Sequence, residues 1–147
     1  MKIIFLDFDG VLLTGRTRMA YGSSWSSAKP DRVVCKLLDR VCATGPRIVV
    51  SSAWRDIEQA CKEKLNQGDL LEFLHADWRT DPKGYCRPKE ISNWLAAHPE
   101  ATDYVIIDDE DHGWTDEQRV KFLPCDPMEG MQSIEMEILA KWGGLRP

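Results

Sequence analysis

The chain has 147 residues, 43% hydrophobic and 29% charged, the proportions of an ordinary globular protein with material for one substantial core. A formal net charge of −5 argues against an extended nucleic-acid-binding surface. Apolar runs such as VLL and RIVV are too short to cross a bilayer, and MKIIFLDFDG meets acids before a signal-peptide core develops, so a cytoplasmic protein with no membrane partner is expected.

In chain order, KIIFL (2–6) has the length and composition of a buried parallel strand, and it runs directly into Asp7 and Asp9. Residues 14–30 are rich in Gly, Ser and Thr without a sustained period, and are expected to form an excursion or flap. From Asp31, the series Val33, Val34, Leu37, Leu38, Val41 and Cys42 marks a helical face that ends at Gly45 and Pro46. RIVV (47–50) is a second strand. Residues 55–68 predict a helix with early acids, late Lys62 and Lys64, and Gly68 as its stop. DLLEFLHADW (69–78) suits a short helix running into an edge strand.

Beyond a polar loop, Pro88 sits at the first turn of a helix whose face is Ile91, Trp94 and Leu95. DYVII (103–107) is a third strand, again followed at once by acids. VKFL (120–123) fits a fourth strand, although TDEQ before it also fits a helix capping box. A final helix over 131–142 is expected to turn Ile134, Ile138, Leu139 and Trp142 inward. The alternation predicts one α/β domain over 1–147, doubly wound around a mainly parallel sheet.

In such sheets, ligands bind beyond the carboxyl ends of the strands. The first strand delivers Asp7 and Asp9 there, the second Ser51 and Ser52, and the third Asp108 and Asp109, with Glu110 and Asp111 behind as solvated acids. Arg87 and Lys89 join at the mouth of a helix. Clustered carboxylates stay ionised near neutrality only beside a cation, and oxygen ligands without His or Cys suit Mg²⁺. A carboxylate so placed is also a nucleophile toward phosphorus. The 5 cysteines (Cys35, Cys42, Cys61, Cys86 and Cys125) form no C-x-x-C pair, which sets aside a zinc site and suits a reducing compartment. His75, His98 and His112 show no paired spacing and are expected at the surface or at helix ends, while Trp94 and Trp142 belong to the core.

DFDGV after strand one resembles the first motif of the haloacid dehalogenase-like (HAD) phosphohydrolase superfamily. The strand ending in SS, the basic residue opening a helix in RPKEI, and VIIDDED are similar to its second, third and fourth motifs, in the same order over about residues 3–111. The wording around them, VVSSAWR, RPKEISNWL and YVIIDDED, is most similar to the small HAD domains associated with RNA-repair proteins. The resemblance implies a Rossmann-like sheet and a Mg²⁺-dependent phosphatase working through an aspartyl-phosphate. It implies Asp7 as nucleophile and metal ligand, and Asp9 as general acid and base whose backbone carbonyl also faces the metal. Gly10 would allow the chain to turn away. Ser51 and the Ser52 N–H would hold the phosphoryl group, and Asp108 and Asp109 would complete the metal site. For the phosphoryl-binding cation Arg87 comes first, with Lys89 and Lys83 as rivals.

The 14–30 segment stands where family members insert a cap, and its length permits a flap alone. An open site suits large substrates, so Arg16, Arg18, Trp25, Trp54 and Arg55 are candidates to hold a nucleotide or nucleic-acid end. Other readings stay open: a phosphatase of a small metabolite, a non-catalytic binding or regulatory module on the same scaffold, and a phosphoacceptor signalling domain. Phosphatase and phosphotransferase share the first half-reaction, and oligomeric state is not legible.

Overall fold

A computed structural model describes residues 1–146. Strands β1 (Lys2–Leu6), β2 (Arg47–Val50), β3 (Leu74–Arg79), β4 (Asp103–Asp108) and β5 (Phe122–Pro124) form one sheet in the order β3-β2-β1-β4-β5. Every pairing is parallel, so the sheet is entirely rather than mainly parallel. The helices are α1 (Gly15–Tyr21), α2 (Arg32–Cys42), α3 (Glu58–Gln67), α4 (Arg87–Ala97), α5 (Asp116–Arg119) and α6 (Ser133–Trp142).

Parallel strands need crossovers that cover both faces, and alternate side chains on each strand feed two separate cores. Ile4, Leu6, Ile48, Val50, Val105 and Ile107 face α2, α3 and α6. Ile3, Phe5, Val49, Tyr104 and Ile106 face α4 and Trp114. Trp94 of α4 meets Phe5 edge-on at 5.5 Å and donates its indole N–H to Asp77 O at 3.1 Å. Leu38 of α2 is wholly buried in the first core, and truncation to Ala would cost about 2–5 kcal/mol.

Several expectations change in detail. The 14–30 excursion contains α1, capped by Thr14, whose hydroxyl accepts from Thr17 N at 3.2 Å. Its one buried residue is Thr17, so no apolar period announced it. Residues 53–56 form a 3₁₀ turn ahead of α3 instead of belonging to it. Helix and strand both occur in 115–124: α5 has the capping box of Thr115 and Gln118, and β5 follows. Val33 is exposed although it heads the α2 face, and on α6 Ile134 and Ile138 point to solvent. Leu139 and Trp142 turn inward as expected, and Met136 joins them, so the buried stripe is shifted around the helix from Ile134 and Ile138.

Lys64 is 1% exposed, not a solvated charge at a helix end, and its Nζ donates to Ala28 O at 2.6 Å. That bond ties the far side of the flap to α3. Nearer the sheet, Gly15 N and Arg16 N donate to Pro127 O and Met128 O, both at 2.9 Å. Among the described residues, no helix is long and apolar enough to cross a membrane.

Candidate active site

Strand order reverses at β1, with β2 on one side and β4 on the other, and the crevice lies beyond their carboxyl ends. Hydrogen bonding continues one residue past the strands: Asp7 N donates to Ile107 O and Ser51 N to Leu6 O, both at 3.0 Å. Asp7, Ser51 and Asp108 are thereby fixed side by side at the rim. Asp7 and Asp108 are buried, Asp109 is half-buried, and one carboxylate oxygen of each lies within 4.8 Å of the others. Burial first, and then the Asp108 charge, pushes the Asp7 carboxyl up to about 8, against the pull of Arg87. Asp109 is raised for the same two reasons.

The turn after Asp9 depends on Gly10, at φ +77°, where a Cβ would fall 2.3 Å from Asp109 Oδ2. Only glycine lets the first motif pass so close to the fourth. This donor set fits a hard divalent cation: three crowded carboxylates, no soft ligand, and charge repulsion that one guanidinium, Arg87, relieves only in part.

Arg87 opens α4 and reaches the same carboxylates, with Nη1 at 3.5 Å from Asp108 Oδ2 and 3.7 Å from Asp7 Oδ1. Its rivals lie elsewhere: Lys83 pairs with Asp81 at 3.0 Å, and exposed Lys89 makes no ion pair among the described residues. Behind Arg87 sits Glu90, 5% exposed, 3.6 Å from Arg87 Nε. It also accepts from Arg55 Nη2 at 3.2 Å and from Thr80 Oγ1 at 3.3 Å. Arg55 is buried, donates to Ser52 O at 3.0 Å, and is lowered from its ordinary value by burial, with Glu90 opposing. It braces the site instead of lining it.

Ser51 is fully buried, and its Oγ has no hydrogen-bond partner among the described residues, an unusual state for a buried hydroxyl. Ser52 caps the following turn by accepting from Trp54 N at 3.3 Å.

Asp9 stands apart from the other three acids. Its carboxylate is exposed, accepts from Trp54 Nε1 at 3.1 Å, and pairs with Arg18 of α1. Arg16 turns away from the rim, onto Asp31 at 2.6 Å and Glu129 at 3.8 Å. Of the two flap arginines, the structure thus brings Arg18 to the mouth. His112 Nε2 lies 3.2 Å from Asp108 Oδ2, although no spacing in the sequence singled it out. Glu90 had one available signal: it stands three residues after Arg87 on a helix, where side chains are neighbours.

A family model described as "HAD domain in Swiss Army Knife RNA repair proteins" matches residues 3–136. No curated protein and no solved structure shows a significant match to the chain. The matched span covers most of the sequence, and the chain belongs to that family of HAD domains.

Proposed function

From this membership, we propose that the chain is a Mg²⁺-dependent phosphomonoester hydrolase acting through an aspartyl-phosphate. The observation that carries the reading is the meeting of Asp7, Asp108 and Asp109 with Arg87 on the rim beside the unpartnered Ser51 hydroxyl. A divalent cation would supply the countercharge that the three carboxylates lack, and a phosphoryl oxygen the acceptor that Ser51 Oγ lacks.

Asp7, Asp108 and Asp109 would hold the Mg²⁺, with the backbone carbonyl of Asp9 as a further ligand. Bound there, the ion would neutralise the carboxylates and draw charge from the phosphoryl oxygens. Ser51 Oγ donates to one phosphoryl oxygen, the Ser52 N–H to another, and Arg87 offsets the charge that builds on the equatorial oxygens. One Asp7 oxygen attacks phosphorus and the ester oxygen departs with a proton from Asp9. Asp9 then takes a proton from water, which attacks the aspartyl-phosphate and releases inorganic phosphate and free Asp7. Reaching the leaving oxygen requires Asp9 to exchange its contacts with Arg18 and Trp54 for the substrate. Glu90 and Arg55 act as positioning residues that aim Arg87.

Nucleotide or nucleic-acid terminal phosphates rank first as substrates and small phosphorylated metabolites second. The short flap supports that order, since it leaves the rim open to large molecules, and so does the description of the family. The test is turnover of an aryl phosphate, mononucleotides, 3′- and 5′-phosphorylated oligonucleotides and sugar phosphates with Mg²⁺, using Asp7→Asn as blank. Hydrolysis that needs both Mg²⁺ and Asp7 is the expected result. Absence of turnover on every substrate would favour a non-catalytic module.

A further inference from the structure

Three aromatic rings rise from the interior to the mouth of the site. Phe8, fully buried within the first motif, lies 5.8 Å from Trp54, and Trp54 lies 4.4 Å from Trp25 at an angle of 42°. Trp54 is held at its indole N–H by Asp9 and at its backbone N by Ser52 Oγ. Trp25 is 46% exposed, at the tip of a serine-rich turn. There Ser27 N donates to Ser24 Oγ at 3.2 Å and Ala28 N to Ser24 O at 2.9 Å. The turn is held from behind by the Lys64 bond to Ala28 O.

A large indole on a small polar turn is poorly used as core, because almost half of it stays in water. Trp54 keeps its Ser52 bond and its Phe8 contact when Asp9 turns to the substrate, and the Lys64 bond holds the turn, so a planar ligand would meet a largely preordered surface. The carboxylate against which Trp54 is set belongs to the acid proposed to protonate the leaving group. A group stacked on Trp25 is therefore part of the leaving portion of the substrate or adjoins it.

We infer that Trp25, carried on Trp54 beside Asp9, is a stacking platform for the base of a nucleotide or nucleic-acid end. The inference rests on the phosphomonoesterase reading for the place of the phosphate and assigns the residue that selects what is attached to it. Stacking tolerates any base, because each presents a π-face, so the platform selects for a base without reading sequence.

The test compares kcat/KM on nucleoside monophosphates and phosphate-terminated oligonucleotides with that on abasic sugar phosphates and abasic-ended oligonucleotides. Wild type is set beside Trp25→Leu, which keeps apolar contact with Trp54, and Trp25→Phe, which keeps a ring. The preference for base-bearing over abasic substrates should fall about tenfold in Trp25→Leu and be largely retained in Trp25→Phe. A fall confined to oligonucleotides would assign the stacked base to a polynucleotide end, and a fall on both would assign it to the terminal nucleoside. An unchanged preference, or a Trp25-dependent preference for a phosphotyrosyl peptide over every nucleotide, would overturn the platform while leaving the phosphatase reading intact. Nucleoside monophosphate titrated into Asp7→Asn protein with Mg²⁺, followed by isothermal titration calorimetry, gives an independent decision. About tenfold weaker binding after Trp25→Leu supports the platform and equal binding refutes it, including in the case where wild type turns over no phosphate at all.

Discussion

Two clusters of buried charge share Arg87 and differ in how they are balanced. Behind it, Glu90 meets two guanidinium groups and the Thr80 hydroxyl, so the one acid is surrounded by donors. In front, Asp7, Asp108 and Asp109 crowd together with Arg87 as the cation common to Asp7 and Asp108. The rear cluster is complete as it stands, and breaking it would harm the fold. The front cluster carries negative charge that the protein leaves over, and its Asp7 is pushed up to about 8, by burial first and then by the Asp108 charge. Burial is common to both, so burial alone does not distinguish bracing from chemistry; leftover charge does.

The sharpest break in the comparison is Asp7→Asn. It should lower Mg²⁺-dependent turnover by at least about 10³-fold and abolish the acid-stable trace of a phosphoenzyme; above about pH 8, where Asp7 loses its proton, it should also raise the melting temperature of the metal-free protein by removing one repelling charge. Next, Arg87→Ala should lower kcat on the order of 10²-fold. Glu90→Ala should also reduce kcat, but its larger signature is a loss of about 3–5 kcal/mol in denaturant unfolding, since it strands Arg55 in the interior. If Glu90→Ala proved as stable as wild type, the distinction between the two clusters would fail.

A smaller effect follows from pH. The folded state holds the Asp7 proton more tightly than the unfolded chain, at about 8 against an ordinary 3.8. Its contribution to stability is therefore fully present below about pH 4 and is lost as pH rises through about 8. Metal-free protein should melt progressively lower across that window, and saturating Mg²⁺ should flatten the dependence at its upper end; differential scanning calorimetry reads both. Last, Lys89→Ala, at an exposed site in neither cluster, should change kcat/KM less than about twofold and stability by under about 0.5 kcal/mol.

Which parts were legible in the sequence follows from what signals the chain could carry. KIIFL, RIVV and DYVII are continuous apolar runs ending in polar side chains, so both the strands and the residues they deliver to the rim could be placed from spacing alone. Helix α1 could not, because its buried side is Thr17 and its hold on the protein is polar, made of backbone bonds to Pro127 and Met128 and of the Arg16 and Arg18 ion pairs. The inward face of α6 was ambiguous because Ile134 and Ile138 form as good a stripe as Met136, Leu139 and Trp142, and packing chose between them. Choosing Arg18 over Arg16 at Asp9 needed the course of the flap, which no local pattern encodes.

The adjacency of β1 and β4 has a kinetic consequence. Asp7 lies near the start of the chain and Asp108 in its last third, so the acids cannot meet until a long-range parallel pairing has closed. Their mutual repulsion is thus felt late on the route to the native state. A divalent ion that relieves it would act mainly after the rate-limiting barrier, prolonging the lifetime of the assembled protein and leaving the speed of its assembly almost untouched.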